Sequence, residues 1–354
     1  MSIENDFWRG RRVLVTGHTG FKGAWLSLWL QTLGAEVSGL ASDCPSSPCL
    51  YELAGVGAGV AEQLLDIRDG EAVLAALVEA NPEIVLHLAA QPLVRRSLRD
   101  PAMTYAVNVM GTVNILEAVR RAGERVRAVV VVTSDKCYEN DGSSQRRFLE
   151  GDPLGGHDPY SSSKACAELV TAAYRDSFFL EQGAPRLASA RAGNVIGGGD
   201  WGEDRLIADS VRAVEGHGTL QIRNPHAVRP WQHVLNPLSG YLRLAEALYA
   251  GDDVARAWNF GPRAADARTV GWIVTRLGEL WGGALESELD AGEHPQEAPY
   301  LELDSTAAEE ELGWRCRWDL DRALQLVVEW HRAHLAGADM RAISLAQIER
   351  FSQI

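Results

Sequence analysis

The stretch that most constrains this chain runs from Val13 to Leu33. The apolar residues Val13-Leu14-Val15 lead through Thr16 into Gly17-His18-Thr19-Gly20-Phe21-Lys22-Gly23, and Ala24 to Leu33 continues as an apolar segment of helical length. A short apolar run without alternation suits a strand buried on both faces, and a helix that follows it directly packs back over the sheet. Glycines in such a connection permit a tight turn, close approach of the backbone to a phosphate, and close contact of helix with strand, while the helix N-terminus offers N–H groups to an anion. The spacing is GxxGxxG, not GxGxxG. A glycine triplet by itself also serves packing alone. Its place on the first strand of an alternating series favours a dinucleotide held along Gly17, Thr19, Gly20, Phe21, Lys22 and Gly23.

The alternation continues down the chain. Glu36 to Leu40 reads as a strand, Gly70 to Ala80 as a helix, Ile84 to Leu88 as a strand and Val107 to Ala122 as a helix. Ala128 to Thr133, Tyr160 to Phe179 and Leu187 to Ala192 repeat the strand, helix, strand order. Continuous apolar strands separated by amphipathic helices predict an α/β fold, a doubly wound parallel (Rossmann) sheet. Beyond Asn194 the character changes to GGGDWGEDR, then RNPHAVRPWQHV, then a Trp-rich, less regular part. We therefore expect a Rossmann domain over 1–185, with later segments returning to it, and a smaller C-terminal substrate-binding lobe over 186–354.

Charge narrows the choice of ligand. Lys and Arg total 34 against 48 Asp and Glu, a net charge of −14, which disfavours nucleic acid and anionic membrane surfaces as partners. An anionic small ligand then needs locally placed arginines. The five cysteines form no CxxC pair and no Cys/His cluster at zinc spacing, so a reduced setting without a metal site is expected. No signal-peptide stretch opens the sequence and no run of about 18 apolar residues occurs, which predicts a soluble cytoplasmic protein.

Further residues complete a candidate site. Asp66-Ile67 follows Leu64-Leu65 at a strand end, suiting contact with adenine, and His87-Leu88-Ala89-Ala90 closes the next strand with small residues where a ring could lie. Asp43, just past the second strand, is a candidate ribose ligand and equally a simple turn residue. Tyr160-Ser161-Ser162-Ser163-Lys164 begins a helix after Asp158-Pro159. Residues four apart share a helix face, so the Lys164 ammonium can lie beside the Tyr160 phenol and favour the phenolate, making a base of a group with an ordinary pKa near 10. YxxxK alone is common by chance. Its companions here are a nucleotide loop and, between the two, a strand ending Val132-Thr133-Ser134.

With these residues in view the sequence resembles the extended short-chain dehydrogenase/reductases, through the glycine loop, HLAA, Asn108-Val109-Met110-Gly111-Thr112, Ser134 and the Tyr160/Lys164 pair. Within them it is most similar to the CDP-glucose 4,6-dehydratases, on GHTGFKGAWL, AAQPLVRRS, TSDKCYEN, YSSSKACAELV, ARAGNVIGGGDW and IRNPHAVRPWQHVL. The resemblance implies NAD as cofactor, touching also Asp66, Ile67, Leu88, Ala89, Ala90, Asn108, Thr133, Tyr160 and Lys164. It implies a nucleotide-sugar substrate, CDP-glucose, met by Gln91, Arg95, Asn194, Arg205, Arg229, Asn259, His294 and Tyr300, and less firmly by Arg96. Catalysis would rest on Ser134, Tyr160 and Lys164 for oxidation at carbon 4, and on Asp135 and Lys136 for loss of water across carbons 5 and 6. A nucleotide-sugar epimerase shares Ser, Tyr and Lys but needs no acid for the carbon-6 oxygen, so Asp135-Lys136 discriminates the two; an NAD sensor without catalysis is disfavoured by the intact Tyr160/Lys164. Relatives of this kind commonly assemble as a homodimer or homotetramer through paired helices of the first lobe, for which Val107 to Arg121 and Tyr160 to Phe179 are candidates.

Overall fold

In the computed structural model, residues 5–353 are described except 124, 143–145, 217, 284, 291 and 293–299. The strands, in chain order, are β1 (Arg12–Thr16), β2 (Glu36–Ala41), β3 (Val60–Leu64), β4 (Ile84–His87), β5 (Ala128–Val132), β6 (Arg186–Arg191), β7 (Val195–Ile196), β8 (Leu220–Ile222), β9 (Val228–Pro230), β10 (Gln232–His233), β11 (Ala257–Asn259), β12 (Ala267–Thr269) and β13 (Ser287–Leu289). Seven of them form one parallel sheet in the order β11-β6-β5-β4-β1-β2-β3. The order reverses between β1 and β4, the place where a doubly wound sheet opens a crevice at its carboxyl edge. Register fixes what meets there. Thr16 stands beside Leu40 on one side and His87 on the other, while Val132 stands beside Ala190. The glycine loop, Leu88 to Ala90 and Ser134 to Lys136 therefore leave the sheet side by side.

Central strands are apolar because both faces are covered: every residue of β4 and β5 is buried. β3, VAEQL, ends at Leu64, where the sequence placed a strand end, although its start was not marked. It is an edge strand with no fully buried residue, and its polar composition hides the strand period. Caps set the helices that matter here. The Asp158 carboxylate accepts from Ser161 N at 3.0 Å and Pro159 occupies the first turn, starting the helix Pro159–Phe178. The helix expected from Val107 instead opens with a wide π turn, Ala106–Met110, before the regular segment Gly111–Ala122. Asn108 lies in that turn, a local form often found at functional sites.

Two segments beyond residue 185, β6 and β11, complete the main sheet, and the helix Leu235–Ala250 is buried against it along most of its length. The helix Met340–Ser352 lies on Phe21–Thr32, with Phe351 edge-on to Trp29 at 5.4 Å and Arg341 Nη2 donating to Gln31 Oε1 at 2.8 Å. This covering explains why Phe21–Thr32 is buried continuously from Gly23 to Leu30, with no polar face. The remaining short strands pair in twos, β7 with β10 and β8 with β13 in parallel, β9 with β12 antiparallel. They surround a separate apolar cluster that includes Ile196, Ile207, Trp231, Ile273 and Leu277. Among the described residues, no helix is long and apolar enough to cross a membrane.

Candidate active site

The glycine loop is shaped for close approach. Gly17 has φ +73°, and a Cβ there would lie 2.8 Å from Ala89 N; a Cβ at Gly23 would lie 2.1 Å from Gly17 O. Both positions exclude any side chain. Gly20 caps Phe21–Thr32 without a side-chain hydrogen bond, so the opening turn directs its N–H groups outward beside the loop. Thr16 Oγ1 accepts from Ala89 N at 3.1 Å and lies 2.7 Å from His87 Nδ1, tying β1 to the Leu88-Ala89-Ala90 segment. Thr19 Oγ1 donates to Asp43 O at 2.6 Å, so Asp43 holds the loop through its backbone while its exposed side chain accepts from Ser42. Ile67 is buried against Gly111, and the Asp66 carboxylate is paired with Arg68 at 2.5 Å.

The strand end after β5 and the helix Pro159–Phe178 bring the reactive side chains together. Ser134 Oγ donates to Asp135 Oδ1 at 3.0 Å and accepts from Lys136 N at 3.2 Å. The Tyr160 backbone is pinned by Ser97 Oγ at 3.1 Å. Burial pushes the Tyr160 phenol up to about 12, while the Ser134 hydroxyl draws it down, aided by Arg205. Lys164 is placed differently from expectation. Its Nζ donates to Val132 O at 3.3 Å rather than to the phenol, and burial lowers its pKa to about 8. The helix spacing put Tyr160 and Lys164 on one face correctly, but the ammonium turns toward the end of β5.

Asp135 is 3% exposed, and its Oδ2 has no hydrogen-bond partner. That oxygen lies 2.9 Å from where a Cβ on Gly193 would be, so only glycine leaves it open space. Burial raises the carboxyl's pKa, opposed by Lys136, Ser134, Arg229 and Lys22. The result is a carboxyl biased toward its protonated form and ringed by cations. Lys22, expected only on the cofactor loop, reaches this centre: its Nζ donates to Tyr241 OH at 3.4 Å, and burial, with Lys164 and Arg205 nearby, lowers its pKa to about 7. Tyr241 was not singled out in the sequence. It is an interior position of the apolar helix Leu235–Ala250, where no local pattern marks it.

A second missed group lies just behind. Glu168, one turn beyond Lys164, accepts from Ser189 Oγ at 2.6 Å, from Arg191 Nη2 at 2.7 Å and from the Thr133 hydroxyl. Arg191 Nη1 donates to Tyr138 OH at 2.7 Å, and that hydroxyl donates to Asn259 Oδ1 at 2.7 Å. Thr133 and Asn259 are thereby spent inside the protein, Asn259 also donating to Phe148 O at 2.9 Å with no exposed surface. The expectation that Asn259 faces a nucleotide is corrected accordingly. Asn108 is likewise engaged, donating to Gln91 O at 3.0 Å and Ser163 Oγ at 2.9 Å and accepting from Gln91 N at 2.7 Å. The Gln91 amide bonds Leu93 O at 3.1 Å and Thr104 Oγ1 at 3.0 Å, so it shapes the loop from within.

The expected arginines approach from the other wall. Arg205 Nη1 donates to Asp200 Oδ2 at 2.7 Å, and Arg229, 8% exposed, donates to Val228 O at 3.0 Å. Arg95 and Arg223 both pair with Asp204 at 3.2 Å, whereas Arg96 is exposed. Asn194 accepts from Gln232 N through its carbonyl at 3.0 Å, leaving the side chain half-buried. Tyr300 bridges to Val228 and donates its hydroxyl to Glu302. His294 lies outside the described residues.

Comparison with known proteins shows the family and the fold. The family model described as GDP-mannose 4,6 dehydratase matches residues 14–327. The chain is 50% identical to a CDP-glucose 4,6-dehydratase of Salmonella typhimurium, over 99% of this chain and 98% of that protein. It is 30% identical to a dTDP-glucose 4,6-dehydratase of Streptomyces griseus, over 73% of this chain and 74% of that one. Among solved structures it is similar to a Thermus thermophilus UDP-glucose 4-epimerase in complex with NAD (TM-score 0.79, 26% identity, 90% of this chain and 98% of that one). It is also similar to a dTDP-glucose 4,6-dehydratase from Streptomyces venezuelae with NAD bound (TM-score 0.78, 25% identity, 93% and 99%).

Proposed function

The chain belongs to the nucleotide-sugar 4,6-dehydratase family, and from that premise we propose that it converts CDP-glucose to CDP-4-keto-6-deoxyglucose and water with NAD as cofactor. The observation that carries the reading is Asp135: a buried carboxyl, biased toward protonation, with one oxygen open, beside Ser134 and near Tyr160. Oxidation at carbon 4 alone needs no such acid; elimination of the carbon-6 hydroxyl does.

The cradle at Gly17, Gly20 and Gly23 fits a dinucleotide, since a Cβ at Gly17 or Gly23 would fill it. Gly17 to Gly23, Ile67, Leu88 to Ala90 and Lys164 would hold the cofactor. NAD, when bound there, supplies the two-electron acceptor for the hydrogen at carbon 4 and returns it at carbon 6. Tyr160 takes the carbon-4 hydroxyl proton, with Ser134 sharing its charge. The resulting ketone acidifies the hydrogen on carbon 5. Asp135 gives its proton to the departing carbon-6 oxygen, so that water leaves. Lys136, the next residue, either takes the carbon-5 proton or holds the enolate charge while water takes that proton, and a proton returns to carbon 5 when hydrogen is delivered to carbon 6. Arg229 and Arg205, with Arg95 and Asn194, meet the diphosphate, because two buried negative charges need charged donors. Tyr300 and His294 close on the base.

In this reading the N-terminal sheet over 1–185 carries the cofactor and the part over 186–354 carries most of the nucleotide-sugar contacts. A cytoplasmic setting suits both ligands and the five free thiols. Assembly as a homodimer or homotetramer is supported by exposed apolar side chains on the two helices expected to pair, Met110, Leu169 and Phe178. Light scattering of the purified chain measures that state. The function itself is tested by supplying CDP-, dTDP-, GDP- and UDP-glucose separately and following the 4-keto-6-deoxy product. Preference for CDP-glucose supports the reading; formation of only a 4-epimer refutes it.

A further inference from the structure

The segment after β2, Asp43-Cys44-Pro45-Ser46-Ser47-Pro48-Cys49, turns back so that its two thiols meet. Cys49 Sγ lies 3.3 Å from Cys44 Sγ. A carboxylate oxygen of Glu52 joins them, and all three donor atoms lie within 4.8 Å of one another. Cys49 is buried and Cys44 half-buried, whereas Glu52 is exposed, so the triad opens toward solvent on one side only. Glu62 also acts on Cys44, while its Oε2 is occupied by His18 Nε2 at 3.0 Å and by the Tyr51 hydroxyl. Two sulfurs and the Glu52 carboxylate thus converge on one point, with Glu62 nearby but held by His18.

We propose that Cys44, Cys49 and Glu52 form a site for a soft divalent cation of the zinc class. Sulfur donors select such a cation over magnesium or calcium, and metal–sulfur bonds of about 2.3 Å in a tetrahedral arrangement separate two sulfurs by roughly 3.8 Å. Small side-chain rotations carry the observed pair to that spacing. Three protein donors leave the fourth position to solvent or an exogenous ligand, which makes the cation exchangeable. On binding, each thiol releases a proton and the metal takes the thiolate; no electron is transferred. Occupancy would brace the segment whose Asp43 carbonyl accepts from Thr19, and so the edge of the glycine loop. That consequence rests on the cofactor reading above, whereas metal capture does not.

The test uses the full chain, reduced and stripped with chelator, then titrated with Cd²⁺ while thiolate-to-metal charge-transfer absorption is recorded. We expect saturation at one equivalent, loss of the band in Cys44→Ser and in Cys49→Ser, and about tenfold or more weaker binding in Glu52→Gln. Prior loading with Zn²⁺ should raise the Cd²⁺ concentration needed to develop the band, whereas Mg²⁺ should not. Cys166→Ser, which changes a half-buried thiol on a different helix, should retain it. The site is refuted by absence of a saturable band, by binding that survives loss of both Cys44 and Cys49, or by loss of the band in Cys166→Ser. It is equally refuted if the reduced pair closes to a disulfide in the presence of Zn²⁺, leaving three free thiols after denaturation.

Discussion

At the residue scale the site contains two groups whose pKa values burial raises, Tyr160 and Asp135. The Tyr160 phenol, pushed up to about 12 by burial, relies on Ser134 and on neighbouring positive charge to act as a base. Tyr160→Phe removes only the accepting oxygen, so product formation should fall by about 10² to 10⁴ while nucleotide-sugar binding by calorimetry stays near normal. Near-normal turnover would remove Tyr160 from the mechanism. In the proposed mechanism Asp135 has the opposite role, donating a proton, and burial raises its pKa in the direction that role requires. Single-turnover elimination should therefore slow as pH rises through the Asp135 pKa, and Asp135→Asn should be slow at every pH while oxidation at carbon 4 persists. Lys136→Met should oxidise substrate yet fail to exchange the carbon-5 hydrogen with deuterated solvent; wild-type exchange in that variant would exclude Lys136 from the step.

At the scale of elements, two connections position those residues. The turn from β1 into Phe21–Thr32 closes only because Gly23 brings the helix backbone against Gly17 O, where a Cβ would stand at 2.1 Å. Gly23→Ala should cost about 1 to 3 kcal/mol of stability and weaken NAD binding, both readable by thermal unfolding with and without cofactor. An unchanged melting temperature and affinity would show that the turn relaxes freely. The second connection is Glu168, which joins Thr133 at the end of β5 to Ser189 and Arg191 on β6, and sits one turn from Lys164. The Arg191–Glu168 pair is 3% exposed on both sides. Glu168→Ala leaves the guanidinium buried without its partner and should cost about 3 to 5 kcal/mol, measured by urea unfolding. A loss below about 1 kcal/mol would mean that the hydroxyls and Tyr138 suffice for Arg191.

At the scale of the molecule, acid should be the chain's weakness. Burial holds His87, His233 and His331 down to about 3, against an ordinary value of 6.5. Each must stay neutral in the fold but takes up a proton when unfolded, so the unfolded chain gains as pH falls from about 6.5 toward 3. Each such histidine removes up to ~1.4 kcal/mol per pH unit within that window, and none of this loss operates above it. The melting temperature should be flat from pH 8 to 7 and drop steadily below 6. A melting temperature that holds to pH 4.5 would show that these histidines are charged in the fold.

Local patterns were enough to place β1, β2, β4, β5 and β6, the glycine loop and the Tyr160 helix, because burial on both faces and capping by Asp158 with Pro159 leave their mark within a few residues of sequence. The pairing of Asp135 with Lys136 at a strand end was legible for the same reason. What the tertiary structure decided is where side chains from distant segments point. Lys22 turns toward the candidate site near Asp135, where Tyr241, more than two hundred residues later, receives it. Lys164 turns to Val132 O, and Asn259 and Asn108 are consumed in interior hydrogen bonds, because buried polar groups take the nearest available partner and that partner is set by packing. β11 joins the sheet and Met340–Ser352 covers Phe21–Thr32 on the same principle. An apolar period records that a face is buried, and only the folded chain determines what buries it.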